Sequence, residues 1–230
     1  MLLADAIDRI RGSVVQITYT ITGLPHERLT DLNARGAVYS IPLGTGFVIS
    51  DKGYVVTAKH VIAATADLRS AVPEGDHIVG VGFAHPNAEG PAAARSRVFR
   101  VIRYDVVGFD SRNDLALLQL RTNPFELQAG QLQGREVGVV GLQLGVASLR
   151  VDRPRDGTPI AISGYPLGEP ALVSTAGTIA SGWSVDLRDT LVSDGKWGYA
   201  QVDVADRYLA DVQTNGGNSA DRHTTSAIRP

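Results

Sequence analysis

The 230-residue chain contains no cysteine. That absence excludes disulfides, a thiolate nucleophile and cysteine-built metal or iron-sulfur sites, and it suits a reducing compartment; packing alone must hold the fold. An excess of charge of one sign is missing as well. The 22 basic and 24 acidic residues leave a formal net charge of -2, and no Lys/Arg cluster exceeds a pair, so no broad face for nucleic acid is expected.

Long apolar runs are also lacking. The most apolar stretch, "VGVVGLQLGVASL" from Val137 to Leu149, is too short to span a bilayer and is interrupted by Gly138, Gly141, Gln143 and Gly145, so no membrane anchor is expected. Near the N-terminus, Asp5, Asp8, Arg9 and Arg11 fall where a secretory signal needs uninterrupted apolar residues. The expectation is a cytoplasmic chain without a signal peptide. The five histidines, His26, His60, His77, His85 and His223, stand at no mutual spacing that pairs metal ligands, and no metal site is expected.

What is present is β-sheet material. At 43% hydrophobic the chain can bury an ordinary core in one large or two modest domains. Short β-rich runs punctuated by Gly, Pro, Asp and Asn predict an all-β sandwich or barrel. A first set comprises "SVVQITYT" (13–20), "GAVYS" (36–40), "GFVIS" (46–50), "YVVTA" (54–58), "HIVGVGF" (77–83), "RVFRVIRYD" (97–105) and "LALLQL" (115–120). A second comprises "VASLRV" (146–151), "PIAISGY" (159–165), "LVSTAGTIAS" (172–181), "YAQVDV" (199–204) and "YLADVQT" (208–214). Between them, residues 121–145 carry Pro124, five glycines and little periodicity, which places an interdomain connection there. The pattern predicts two tandem antiparallel β-barrels. Asp51 and Gly53 in "SDKGY" predict a tight hairpin turn. Helix is expected at Leu2 to Arg11, where Leu3, Ile7 and Ile10 share a face, and as a single turn in "HVIAA" after His60.

Three polar residues stand out. His60 follows the apolar strand "GYVVTAKH", and a rigid strand end is where a general base would be well held. Asp114 immediately precedes the apolar "LALLQL"; a carboxylate drawn towards a core needs hydrogen bonds, such as those from an imidazole N–H and backbone donors. Ser219 lies in "NGGNS", where Gly216 and Gly217 permit backbone N–H groups to converge on one concavity. Such an oxyanion hole is worth roughly a few kcal/mol per donor in acyl transfer. Each also has a plain structural reading: a strand-end histidine, a turn aspartate, an ordinary Asn/Gly/Ser loop. Taken together they run in the order His, Asp, Ser, which is the triad order of the two-barrel proteases.

"GTGFVISDKGYVVTAKHVI" resembles the trypsin-like serine protease superfamily of chymotrypsin fold, and is most similar to bacterial cysteine-free members of the high-temperature-requirement (HtrA/Deg) type. "NDLALLQL", "ISGYPLG", "LVSTAGTIAS" and "TNGGNS" continue the resemblance over nearly the whole chain. It implies a serine endopeptidase in which His60 is general base and acid, Asp114 orients its ring, and Ser219 attacks the scissile carbonyl. The backbone N–H groups of Gly217 and Ser219 form the oxyanion hole. The substrate is a polypeptide, and no cofactor is implied. The expected domains are a first barrel over 1–130 with a short N-terminal helix, an incomplete second barrel over 131–219, and a disordered tail over 220–230.

The tail departs from the family. There the serine is followed by Gly-Gly-Pro and further closing strands; here it is followed by "ADRHTTSAIRP". Codons for Ala-Asp-Arg, read one nucleotide earlier after a serine codon ending in G, permit Gly-Gly-Pro. The tail is therefore hypothesised to be a frameshift product, and weak or no peptidase activity is expected. The alternative is a non-catalytic two-barrel module that binds peptides without cleaving them. Trp183 and Trp197, in "GWSVDLRDTLVSDGKWGY" (182–199), read equally as pocket contacts or as hairpin packing.

Overall fold

The computed structural model describes residues 3–32, 39–84, 99–126, 144–150, 154–165, 172–181, 184–186, 203–205 and 209–212. The chain divides into two compact units, one of Met1–Leu149 with Ser163–Ser174, the other of Arg150–Ile162 with Thr175–Gln213.

In the first unit, α1 (Leu3–Ile10) and a 3-10 turn (Arg11–Ser13) lead into β1 (Val14–Thr22). After α2 (His26–Asp31) come β2 (Tyr39–Ser50), β3 (Tyr54–Ala58), α3 (Lys59–Ala71), β4 (Asp76–Ala84), β5 (Phe99–Asp110) and β6 (Leu115–Leu120). The strands close into an antiparallel barrel in the order β1-β2-β3-β6-β5-β4, with β4 returning to β1. Ile17, Val48, Val55, Val81 and Leu118 supply one fully buried side chain from each of β1, β2, β3, β4 and β6. Removing each from water contributes about 1.5–3 kcal/mol. A second cluster of Tyr19, Ile21, Leu24, Leu29 and Val72 explains α2, which the sequence did not suggest: Leu29 is its share of the core, and Leu24 joins from the segment just before it.

The hairpin turn falls where expected. Gly53 sits at φ 79 and donates its N–H to the Ser50 carbonyl at 3.1 Å, a left-handed backbone that glycine adopts without cost. Two expected strands, "GAVYS" and "GFVIS", are instead parts of one longer strand as far as the described residues reach. Pro42 is tolerated within β2 because the ladder to β1 slips there, Ile17 facing Gly44 and Thr18 facing Pro42, so that Leu43 is an extra bulged residue. Among the described strands, β1 alone pairs with β2 at Pro42, since β3 pairs with residues 46–50. β5 runs five residues beyond the expected end through a second bulge at Val107. "VASLRV" is not a strand over its described residues. Ala147 makes one hydrogen bond, to the Val48 carbonyl at 2.7 Å, while Val146 and Leu149 are exposed; its apolar residues have no sheet face to cover.

The second unit holds shorter strands: β7 (Pro159–Gly164), which ends in the first unit, β8 (Val173–Ser181), which begins there, then β9 (Ser184–Asp186), β10 (Asp203–Ala205) and β11 (Leu209–Asp211). They form a three-stranded sheet ordered β11-β8-β7 and a two-stranded β10-β9 pair. Among the described residues this second set is open, whereas the first barrel is closed. The expected interdomain connection lies largely, and Trp183 and Trp197 wholly, outside the described residues. Among the described residues no helix is long and apolar enough to cross a membrane.

Candidate active site

His60 and Asp114, 54 residues apart, are brought together by the pairing of β3 with β6. Their register ends at Ala58 facing Leu115, so the next residues outward are Lys59 and Asp114. There β3 turns into α3, and Asp114 takes a left-handed backbone at φ 55. A non-glycine residue is seldom found in that conformation, although aspartate tolerates it better than most.

The twist aims Asp114 at the start of α3. Its carbonyl accepts the Lys59 N–H at 2.8 Å, and its Oδ1 accepts the His60 N–H at 3.0 Å. Oδ2 lies 2.5 Å from the His60 ring Nδ1. A helix start leaves its first N–H groups unpaired. α3 has no side-chain cap from its own N-cap residue, Ala58; a residue remote in sequence supplies two of the missing acceptors, and its negative charge favours the helix N-terminus. An ionised carboxylate only accepts, so this contact favours a ring proton on Nδ1, which directs Nε2 away from Asp114. The His60 and Asp114 side chains are 30% and 33% exposed, so the pair is open to solvent.

Behind the histidine the backbone is braced. The Thr57 hydroxyl donates to the Thr45 carbonyl at 2.7 Å, and the Thr45 hydroxyl accepts the Tyr165 N–H at 2.8 Å. The glycines of "GTGF" have a steric reason. A Cβ on Gly44 would stand 2.8 Å from Val61 Cγ2, and one on Gly46 would stand 3.0 Å from Val55 Cγ1. Gly44 thus lets the first turn of α3, carrying His60 and Val61, seat against β2.

Residues the sequence did not single out surround the pair. Lys59 donates to Ser111 Oγ at 2.8 Å, and its Nζ stands 5.9 Å from the centre of the Phe109 ring. Phe109 and Leu115 are exposed at 53% and 43%, an apolar margin beside a polar site. Asp110 caps the turn that precedes Asp114; the spacing "DSRND" is a side-chain turn signal that could have revealed it. Gly217 and Ser219 lie outside the described residues, as does His223.

Among solved structures, the chain is similar to the HtrA-type protease AlgW solved with a decapeptide, at 20% identity and a TM-score of 0.52, over 95% of this chain and 54% of that one. It is also similar to the Rv3671c protease from M. tuberculosis in its active form, at 18% identity and a TM-score of 0.49, over 93% of this chain and 65% of that one. The chain thus spans about half the length of AlgW, and the likeness to AlgW is one of fold. No curated protein matches it in sequence. The profile of the trypsin-like peptidase domain matches residues 44–220, well over half the chain, and the chain belongs to that family.

Proposed function

We propose that the chain is a serine endopeptidase of HtrA type that hydrolyses peptide bonds through His60, Asp114 and Ser219. A first barrel over 1–130 carries the base and its orienting carboxylate, and a second over 131–219 carries the nucleophile. His60 Nε2 takes the proton from Ser219 Oγ as the oxygen attacks the scissile carbonyl, and Asp114 stabilises the resulting imidazolium. The N–H groups of Gly217 and Ser219 receive the charge that develops on the carbonyl oxygen. His60 then protonates the departing amine, and water releases the acyl group by the same route in reverse. The substrate is a polypeptide, a reading that draws on the decapeptide bound to AlgW.

The observation that supports this best is the double hold of Asp114 on His60. A second reading, a peptide-binding module that does not cleave, is favoured by one feature: Ala220, Asp221 and Arg222 stand where the family has Gly-Gly-Pro. A fluorophosphonate probe separates the two. The peptidase reading expects slow labelling that vanishes in Ser219→Ala and falls sharply in His60→Ala. No labelling under any condition leaves the binding module.

A further inference from the structure

The turn between β5 and β6 ends on Asp114, and its other residues, Ser111, Arg112 and Asn113, are exposed. Apolar burial therefore does not fix its shape. The carboxylate of Asp110, the last residue of β5, is the main local restraint. Its Oδ1 accepts the N–H groups of Arg112 at 3.0 Å and Asn113 at 3.2 Å, and its Oδ2 accepts from Asn113 Nδ2 at 2.7 Å. The Asn113 side chain, followed by its backbone N–H, holds the Asp110 carboxyl below the usual aspartate range. A second tether runs from Lys59 Nζ to Ser111 Oγ, which joins the same turn to the first residue of α3.

We propose that Asp110 is a positioning residue for the His60–Asp114 pair: by capping the 110–113 turn it holds Asp114 in the left-handed backbone that aims both carboxylate oxygens at His60. The proposal rests on the reading of His60 as base and Asp114 as its orienter. The left-handed backbone is disfavoured for an L residue, so an exposed turn released from its cap relaxes towards other conformers. Asp114 moves with it, and the imidazole loses the acceptor that fixes its tautomer. A displacement of about 1 Å in such a constellation costs roughly 10²-fold in rate.

Asp110→Ala removes all three acceptor contacts. Asp110→Asn keeps an oxygen for the two backbone N–H groups and loses the acceptor for Asn113 Nδ2. Two readouts apply to both: the far-downfield proton resonance of the His60 Nδ1–H held against a carboxylate, and the rate of fluorophosphonate labelling at Ser219. In Asp110→Ala the resonance is expected to broaden away and labelling to slow by about 10- to 100-fold, with the barrel's thermal midpoint little changed. Asp110→Asn should fall between that variant and the unaltered chain on both measures, and it serves alone if the alanine variant does not fold. Retention of the resonance and the labelling rate in the capless variants would overturn the proposal. So would absence of the resonance from the unaltered chain, which would leave no held pair to position. The resonance needs no nucleophile: an unaltered chain that shows it but never labels sinks the peptidase reading alone, and the Asp110 variants still decide the positioning role.

Discussion

Asp114 grips His60 twice, through the backbone N–H at 3.0 Å and the ring Nδ1 at 2.5 Å, so the residue that orients the imidazole also caps the helix that carries it. Stability and the geometry of the His60–Asp114 pair are therefore coupled at one side chain, and substitutions can separate them.

Asp114→Asn keeps an acceptor for the His60 N–H but can offer an amide donor to the ring, which favours the wrong tautomer. Labelling of Ser219 should fall by about 10⁴-fold while stability changes little. Asp114→Ala loses the cap and must still hold a left-handed backbone, at about 1 kcal/mol for each effect. Asp114→Gly loses the cap but not the backbone tolerance, and should be more stable than Asp114→Ala by about 1 kcal/mol. Urea midpoints of the three variants check the order, and an alanine variant as stable as the glycine one would contradict the role given to φ.

Gly44→Ala places a methyl 2.8 Å from Val61 Cγ2, against a short branched side chain that cannot swing aside. The expected cost is about 1–3 kcal/mol, together with slower labelling as the first turn of α3 is pushed off β2. Val61→Ala costs stability by itself. In combination the two should be less than additive, because the second removes the clash created by the first. Additive melting shifts would show that Val61 is not what the glycine accommodates.

β3 and β6 were legible in the sequence to the residue, because "YVVTA" and "LALLQL" are short apolar runs with turn residues at their ends. The pair they present, His60 and Asp114, was legible for the same reason: each stands one or two positions beyond a strand boundary. α3 was read as one turn and has 13 residues. Its only buried side chain is Val61, so it carries little amphipathic signal, and the cap that starts it lies 54 positions away. β2 was split at Pro42 because a bulge depends on the facing strand, which local sequence does not reveal. "VASLRV" failed the opposite way: its local pattern suits a strand, but over its described residues it joins no sheet.

Tyr104 gives a pH signature for the barrel. Burial pushes its phenol up to about 12, whereas an unfolded tyrosine ionises near 10. Below about pH 10 the group is protonated in both states and its contribution is fully present; between about 10 and 12 the unfolded chain releases the proton first, so stability falls as pH rises. Tyr104→Phe removes this component. The loss of urea resistance between about pH 9 and about pH 11 should be smaller in Tyr104→Phe than in the unaltered chain. Equal losses would mean that the phenol does not feel the barrel interior.

The residues after Ser219, the proposed nucleophile, make the last test. Arg222 brings a long charged side chain to a position where the family has proline, and Ala220 and Asp221 narrow the backbone choices that two glycines would leave open. If these three residues slow the chain, then Ala220→Gly, Asp221→Gly and Arg222→Pro together should raise the labelling rate of Ser219 by about 10-fold or more, on the scale set by small displacements of a nucleophile. The gain should be abolished by His60→Ala, which ties it to the base rather than to greater exposure of the serine. A triple variant no faster than the unaltered chain would acquit residues 220–222 of slowing the labelling.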